Sequence, residues 1–238
     1  MVGNKIIRNQ VLRSLSIDDF RLLGSRLAIA KFEMGKQFEN AGAAIERVYF
    51  PESGLASIVV RCPPKEDVEI AVTGWDNMTG AALVLGDRES PFECIAQMAG
   101  RAYSIAASDF LKALETSQTL SRHMAKFARA LFIQTAFTTH LNARETMVPR
   151  VARCLLMLHD RIDGDQLSVT HNFLSTIMAV RRQSVTEALH VLEGEHLLRS
   201  GRASITLCDR RGLLARAGTA YGKAELEYTR LTGQPLSK

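Results

Sequence analysis

Residues 170–198 read THNFLSTIMAVRRQSVTEALHVLEGEHLL, and this stretch has the spacing of two short helices joined by a tight turn. Thr170 can cap the first helix, and the small pair Ala179-Val180 interrupts the helical pattern. Apolar residues recur at helical spacing on both sides of that break, at Phe173, Leu174, Ile177, Met178, Val185, Leu189 and Leu192. The stretch therefore predicts a helix-turn-helix.

The start of the second predicted helix carries side chains that pair with nucleic acid. Arg181 and Arg182 supply guanidinium groups, Gln183 supplies a carboxamide, and Ser184 and Thr186 supply hydroxyls. Such groups bond to phosphates and base edges in a major groove. In isolation an Arg-Arg pair is more often a solvated charged face. The cap, the turn spacing and the segment that follows favour a DNA-reading element instead.

That following segment, Arg199–Leu207, has the pattern of a β-hairpin. Its bend falls at Ser200-Gly201-Arg202, and Ser204–Leu207 forms the returning strand. A hairpin directly after a recognition helix is a wing. We therefore expect Arg202, at the tip of the wing, to meet a phosphate.

Length and composition narrow the class of protein. The 238 residues suit two modest domains, and the net charge of +5 permits binding to a polyanion without demanding it. No apolar run is long enough to span a bilayer, and Met1–Arg13 lacks a signal-peptide core, so we expect a cytoplasmic protein. The four cysteines are widely spaced, which argues against a zinc ribbon or a cysteine-ligated cluster.

The N-terminal half has the pattern of a small antiparallel roll. A helical lead-in covers residues 5–30, with a helix start at Ser16-Ile17-Asp18-Asp19. Short strands separated by turn residues follow, at Glu46–Pro51, Gly54–Arg61, Val68–Thr73, Phe92–Met98 and Arg101–Ala106. Turns are predicted at Pro51-Glu52-Ser53-Gly54 and Ala99-Gly100. Strands at this spacing favour a roll or barrel.

A long helical tract begins at Ser108-Asp109 and carries two apolar stripes. One has the spacing of a coiled-coil seam and consists of Leu120, Met124, Phe127, Leu131, Gln134, Thr138 and Leu141. The other, formed by Ala128, Phe132 and Thr135, is expected to face the roll. Two stripes imply two partners, and the simplest second partner is the same helix of another subunit. We therefore expect a homodimer; the alternative is a helix buried wholly within one chain.

The segment Val151–Leu158 (VARCLLML), together with residues 170–198, the roll and the long helix, resembles the Crp/Fnr superfamily of bacterial transcription regulators. The resemblance implies an α+β fold with an N-terminal antiparallel β-roll similar to cyclic-nucleotide-binding domains, a long dimerisation helix and a C-terminal winged helix-turn-helix. It divides the chain into a sensor domain at 1–147, with its dimerisation helix at about 113–147, and a DNA-binding domain at 148–225. A tail at 226–238 is expected to fray.

The resemblance also implies roles for individual residues. The base-reading positions of the family fall on Arg181, Arg182 and Gln183, of which Arg182 is expected to read guanine and Gln183 adenine. Thr170 and His171 are expected to contact the phosphate backbone. The implied partners are a pseudo-palindromic double-stranded DNA site and a second copy of the chain, with RNA polymerase as a further candidate.

The sensor half departs from the cyclic-nucleotide members of the family. Those members carry a Gly-Glu pair about ten residues before an Arg-Ser/Thr-Ala cassette, and the corresponding segments here are Met78–Ala81 and Asp87–Pro91. The ribose-binding carboxylate is missing, and Glu89 stands where the phosphate-binding arginine is expected. Because a carboxylate repels a phosphate, we do not expect ordinary cyclic AMP to bind. Candidate pocket residues are Trp75, Arg88 and Ser90, and the effector is unknown.

Neither a metal centre nor a catalytic centre is predicted. The first cysteine is Cys62 and all 6 histidines lie at or beyond His123, so the roll offers no histidine ligands. Haem ligation by His123 or His140 stays open as an alternative. The leading hypothesis is a dimeric, sequence-specific transcription regulator without enzymatic activity. A ligand-free regulator controlled by abundance or a partner protein is the alternative, and a β-barrel enzyme is a distant third.

Overall fold

The structure of the protein is a computed structural model that describes residues 7–62 and 67–236. The helices are α1 (Gln10–Arg13), α2 (Ile17–Gly24), α3 (Ala81–Val84), α4 (Ala107–Thr116), α5 (Gln118–Arg144), α6 (Met147–His159), α7 (His171–Ile177), α8 (Arg182–Gly194), α9 (Arg210–Ala217) and α10 (Lys223–Thr232). The strands are β1 (Ala28–Phe32), β2 (Gln37–Glu39), β3 (Ala43–Ala44), β4 (Arg47–Val60), β5 (Val68–Thr73), β6 (Glu89–Ser90), β7 (Glu93–Ala106), β8 (Gln166–Leu167), β9 (Leu198–Gly201) and β10 (Ser204–Leu207). Among the helices of the described ranges, none is both long enough and apolar enough to cross a membrane.

The N-terminal half is an antiparallel roll, as the sequence predicts. Its main sheet has the strand order β1-β7-β4-β5, with β2 also paired to β7, and β3 and β6 form a separate ribbon. The helix start expected near Ser16 is present, because the Ser16 hydroxyl accepts a hydrogen bond from the Asp19 amide at the beginning of α2. Phe50, Ile105 and Phe110 are fully buried in the core beneath the sheet.

The two turns predicted within the roll are wrong, because β4 and β7 run straight through them. The pairing of β4 with β7 accommodates these segments by register shifts between Pro51 and Ala56. A Cβ added at Gly100 would lie 2.1 Å from the Ser53 carbonyl oxygen. Glycine is required there because β4 and β7 pass so close to each other that a side chain would not fit. In the sequence, a glycine in such a place cannot be distinguished from a glycine in a turn.

The predicted dimer seam on α5 is also corrected, because most of its side chains are buried in their own chain. Leu120, Met124 and Phe127 are each 0% exposed and belong to the core of the roll. Gln134 exchanges hydrogen bonds with the Val72 backbone of β5, at 2.7 and 3.2 Å. Leu141 is buried as well, and Leu131 and Thr138 are half-buried. The roll and α10 occupy the stripe that the sequence assigned to a partner subunit.

The opposite side of α5 faces outward. Its exposed positions Ala125, Phe132, Ala136 and Thr139 lie on one face of the helix, and Phe132 is 62% exposed although it is a large apolar side chain. The stripe that was expected to face the roll, Ala128, Phe132 and Thr135, lines a cavity on the roll side of α5; Ala128 is buried there and Thr135 half-buried, whereas the Phe132 ring stays largely exposed. We call Ala125, Phe132, Ala136 and Thr139 the outer stripe.

The C-terminal part contains the predicted helix-turn-helix and wing. The Thr170 hydroxyl accepts a hydrogen bond from the Phe173 amide and so caps α7, at 2.9 Å. Ala179 adopts a positive φ of 50° in the turn before α8. Strands β8, β10 and β9 form a small antiparallel sheet, with β9 and β10 as the wing. Its core includes the fully buried side chains of Val185, Leu189 and Leu192.

The expected frayed tail is instead an ordered helix. Helix α10 packs against α5, and its Tyr228 ring meets the Phe127 ring at a centroid distance of 6.0 Å. The Tyr228 hydroxyl lies 2.5 Å from both the Asp76 carbonyl oxygen and Gln10 Oε1. Leu236 is 4% exposed. The apolar positions of this segment were too few to reveal a helix in the sequence, because its order comes from contacts with residues far away in the chain.

A buried ion pair joins the part of the chain that contains the helix-turn-helix to the roll. Arg161, two residues after the end of α6, donates from Nε to Asp76 Oδ1 at 3.0 Å and from Nη2 to Asp76 Oδ2 at 2.7 Å. The side chains of both residues are 1% exposed. Arg161 also donates to the Met157 carbonyl oxygen at 2.8 Å. This bidentate pair fixes the orientation of the end of α6 relative to the roll.

Candidate nucleic-acid interface

The residues predicted to read DNA lie around the first turn of α8. Arg181 is the N-cap residue of the helix, and Arg181, Arg182 and Gln183 are all exposed. Ser184 and Thr186 are half-buried. Because the apolar side of α8 is buried in the domain core, its polar first turn is directed away from the core.

A hydrogen bond connects the two helices of the motif behind this turn. His171 Nδ1, at the start of α7, lies 3.1 Å from Thr186 Oγ1 of α8, and the tautomer of the ring determines which atom donates. Burial lowers the pKa of His171, and the nearby positive charge of Arg182 lowers it further. The lowered pKa favours the neutral imidazole, which connects the two helices without adding a positive charge to the surface.

A cleft separates the helix-turn-helix from the wing. It measures about 470 Å³ and is lined by Val169, Thr170, His171, Asn172, Arg182, Gly201 and Ala203. The structure thus places the expected phosphate contacts Thr170 and His171 beside the base-reading candidate Arg182. Asn172 is a polar residue of this cleft that the sequence analysis missed. The only sequence signal for it is its position directly after the capped start of α7.

The arginines of this surface are available to bind an anion. Within the described part of the chain, Arg181, Arg182 and Arg202 form no ion pair. Arg202 is exposed at the tip of the wing, between the ends of β9 and β10. Gln183 is held by its own helix, because Nε2 donates to Glu187 Oε1 at 2.9 Å. The surface therefore presents unpaired guanidinium groups on two elements that flank one cleft.

A second group of polar residues supports the interface from inside the domain. The fully buried Asp160 carboxylate accepts hydrogen bonds from Arg210 Nη2 at 2.6 Å and from the Tyr221 hydroxyl at 2.5 Å. Burial raises the pKa of Tyr221, so its hydroxyl stays protonated and acts as a donor. These bonds connect the start of α9 to the end of α6, the helix that precedes the helix-turn-helix. Arg210 therefore has a structural role, unlike the arginines of the cleft.

The candidate effector residues are not brought together. A cavity of about 560 Å³ lies between the roll and α5, and of the three predicted residues only Ser90 lines it. Arg88 is exposed and does not line the cavity. Trp75 lies under the Arg8 guanidinium, whose carbon is 5.4 Å from the centre of the ring. Neither Trp75 nor Arg88 forms part of the wall of this cavity, so the three predicted residues do not share it.

The two histidines considered for haem differ in their surroundings. His123 is half-buried, and its Nε2 lies 3.0 Å from the Val11 carbonyl oxygen and 3.4 Å from Ser14 Oγ. It thereby ties α5 to α1. His140 is exposed. Among the described residues, no group of three or more His, Cys, Asp or Glu side chains is placed to hold a metal ion.

These features define a fold that consists of a roll, a long helix and a winged helix-turn-helix. Known proteins with this combination of elements are similar to the chain. The family model of the Crp-like helix-turn-helix domain matches residues 149–216, which contain most of α6, the motif and the wing. No curated protein sequence matches the chain.

Solved structures extend the similarity to the roll. FixK2 from Bradyrhizobium japonicum is 16% identical and has a TM-score of 0.70, with 82% of this chain and 99% of that chain covered. TTHB099, a transcriptional regulator of the CRP family from Thermus thermophilus, is 20% identical with a TM-score of 0.66, covering 81% of this chain and 98% of that one. The c-di-GMP-responsive global regulator CLP of Xanthomonas campestris is 14% identical, with a TM-score of 0.65 and coverages of 81% and 99%.

The predicted Crp-like helix-turn-helix is thereby confirmed, and for the roll and the long helix the comparison shows a shared fold. The chain contains a Crp-like helix-turn-helix domain, and its roll, long helix and wing have the fold of Crp/Fnr transcription regulators.

Proposed function

We propose that the protein is a homodimeric transcription regulator that recognises a specific DNA sequence through α8. The observation that carries the proposal is the cleft between α8, the start of α7 and the wing, flanked by the unpaired Arg182 and Arg202. Arg182 offers two parallel donors that match O6 and N7 of guanine, and Arg202 is suited to a phosphate. In this proposal the protein has no catalytic activity.

Selection from random double-stranded DNA tests the proposal directly. With purified full-length protein we expect enrichment of a pseudo-palindrome whose half-sites are centred about one helical turn apart, since two recognition helices related by two-fold symmetry impose that spacing. If the folded protein enriches no sequence, either with or without the small molecules that it binds, the proposal is wrong.

Single substitutions then separate base reading from phosphate binding. Arg182→Ala should cost about 1–3 kcal/mol at one base position and relax the sequence preference there. Arg202→Ala should weaken binding to all sequences and lower the slope of log affinity against log salt by about 1. Arg21→Ala is the matched control, because Arg21 is an exposed arginine on α2 of the roll and its loss should leave both quantities unchanged. An Arg182→Ala protein with unchanged affinity and preference would contradict the assignment.

For the dimer we propose the outer stripe of α5 in place of the seam predicted from the sequence. Ala125, Arg129, Phe132, Ala136 and Thr139 follow the alternating steps of four and three that a coiled-coil seam requires, and the Arg129 guanidinium lies over the Phe132 ring at 5.2 Å. Three of the four side chains of the outer stripe are small, which allows two helices to approach closely. The exposed Phe132 ring would be buried between them.

The cavity between the roll and α5 supports a regulator that responds to a small molecule. Ala128, Phe132 and Thr135 of α5 form part of its wall, so the cavity reaches the helix face that we assign to the dimer. A ligand there would contact the element through which two subunits meet, and its binding would be linked to their arrangement. The cavity favours this form of the proposal over the ligand-free alternative.

A further inference from the structure

The cavity between the roll and α5 has the dimensions of a small-molecule site. Its volume of about 560 Å³ lies within the range of such sites in proteins. Its wall comes from β2, β4, β5 and α3 of the roll, from the segment 85–92, and from α5. Leu85 is 74% exposed and Phe92 36% exposed, so both are accessible to solvent although they line the cavity.

Most of the wall is apolar. The apolar side chains that line it are Ile58, Ile70, Met78, Ala81, Ala82, Leu85, Pro91, Phe92, Ala128, Leu131 and Phe132. Thr79, Ser90 and Thr135 add hydroxyl groups. The ionisable lining residues are Glu39 and Asp87, and no lysine, arginine or histidine of the described chain belongs to the wall.

The backbone amide at the start of α3, which faces this wall, is already hydrogen-bonded to Glu39. Its Oε1 accepts a hydrogen bond from the Gly80 amide at 2.6 Å, and the Ser90 hydroxyl donates to the same carboxylate. Burial raises the pKa of Glu39, so it is easier to protonate than an exposed carboxyl group. A donor that could have held an anionic ligand is therefore occupied by a side chain of the protein.

A negatively charged ligand would be unfavourable in this cavity for two reasons. It would lose its hydration shell without gaining a cation from the wall. It would also lie near the Glu39 carboxylate, and the repulsion between two like charges is several times stronger near a partly buried site than in bulk water. An uncharged molecule avoids both costs and can donate a hydrogen bond to the remaining acceptor capacity of Glu39.

We infer that the cavity binds a largely apolar small molecule that carries no negative charge and whose polar group faces Glu39. The inference deepens the proposed function and rests on it only for the role of this molecule as an effector of DNA binding. The chemistry of the cavity itself does not depend on what α8 does.

A pair of fluorescent probes tests the charge selectivity on the full-length protein. N-phenyl-1-naphthylamine is neutral, and 1-anilinonaphthalene-8-sulfonate has the same ring system with one added sulfonate. We expect the neutral probe to bind with a Kd lower by at least about ten-fold. Only the sulfonate is repelled by the Glu39 carboxylate, and the wall offers it no positively charged side chain. Equal or tighter binding of the anionic probe, or no binding of the neutral one, would overturn the inference.

Variants locate the probe and identify the cause of the selectivity. Ala81→Phe fills the cavity and should abolish binding of the neutral probe, whereas unchanged binding would place the probe elsewhere and overturn the inference. Glu39→Gln keeps an amide oxygen for the Gly80 amide but removes the charge, and it should improve binding of the anionic probe several-fold, so that the ratio of the two Kd values falls. Asp87→Asn lies at an exposed position that tolerates substitution, and it should change the selectivity in the same direction but less.

DNA binding is measured separately on the same proteins. If the probes do not discriminate but the selected duplex binds, the ligand class is wrong and the proposed function stands. If the probes discriminate but no DNA sequence is selected, the proposed function is wrong and the ligand class stands.

Discussion

Replacing Asp76 by asparagine would remove one charge from the buried pair that joins the roll to the end of α6. The substitution keeps an oxygen for the Gly74 amide, which donates to Asp76 Oδ1 at 2.9 Å. It also keeps the size of the side chain. What it removes is the negative charge opposite Arg161, whose guanidinium is 1% exposed and cannot reach water without a rearrangement.

The expected loss of stability follows from that burial. Breaking a buried pair by neutralising one partner costs about 3–5 kcal/mol, because the other charge is left without compensation. Asparagine retains one of the two hydrogen bonds from Arg161, so we expect a value near the lower end, about 3 kcal/mol. We expect the free energy of unfolding to fall by this amount.

Urea denaturation at a fixed protein concentration measures this change, since subunit association would otherwise contribute to the result. Glu227→Gln is the matched control. It also neutralises a carboxylate paired with arginine, but Glu227 and Arg230 form an exposed pair within α10, so its effect should be small by comparison.

The double variant Asp76→Asn with Arg161→Met provides the decisive comparison. If the pair is coupled as described, the double variant loses less stability than the sum of the two single variants, by at least about 1 kcal/mol. A cost below about 1 kcal/mol for Asp76→Asn, or additive effects of the two substitutions, would refute the argument that this pair holds the two parts of the chain together.

Further predictions concern the dimer, the pH dependence and the roll. Phe132→Glu on the outer stripe should convert the dimer to a monomer in sedimentation velocity, and a persistent dimer would disprove the proposed seam. Burial raises the pKa of Glu69 from 4.5 to about 7, so the folded chain binds its proton more tightly than the unfolded chain and stability falls as pH rises between those values. Glu69→Gln should flatten that decline when urea denaturation is compared at about pH 5 and about pH 8. Gly100→Ala should cost about 1–3 kcal/mol, because its Cβ would lie 2.1 Å from the Ser53 carbonyl oxygen. Gly194→Ala, whose Cβ meets nothing within 4 Å, should leave the melting temperature unchanged or higher.

The helix-turn-helix and the wing could be predicted because the information for them is local. The cap at Thr170, the turn at Ala179 and the bend at Gly201 each depend on residues a few positions away. The exposed position of Arg182 follows from the same periodicity that buries Val185 and Leu189. Local rules of this kind hold whatever the rest of the chain does.

Two errors in the roll and on α5 have a shared cause. Gly100 has the same sequence signature whether it forms a turn or allows two strands to cross closely, and the crossing involves Ser53, nearly fifty residues earlier. Helix α5 has two stripes that are both suitable for packing, and periodicity cannot determine which of them meets the roll. That choice depends on Tyr228 and Val72, which pack onto the inner side of α5 from distant parts of the sequence.

By itself, then, the sequence determined the presence and order of the roll, the long helix and the winged helix-turn-helix, and the residues at the exposed start of α8. Tertiary structure alone decided which face of α5 is buried, that the C-terminal segment is an ordered helix, and that Glu39 rather than Trp75 or Arg88 lines the cavity. The physical reason is the range of the interactions. Helix caps, turns and amphipathic periodicity act over a few residues, whereas cavities, buried ion pairs and packed faces bring together residues that are far apart in the chain.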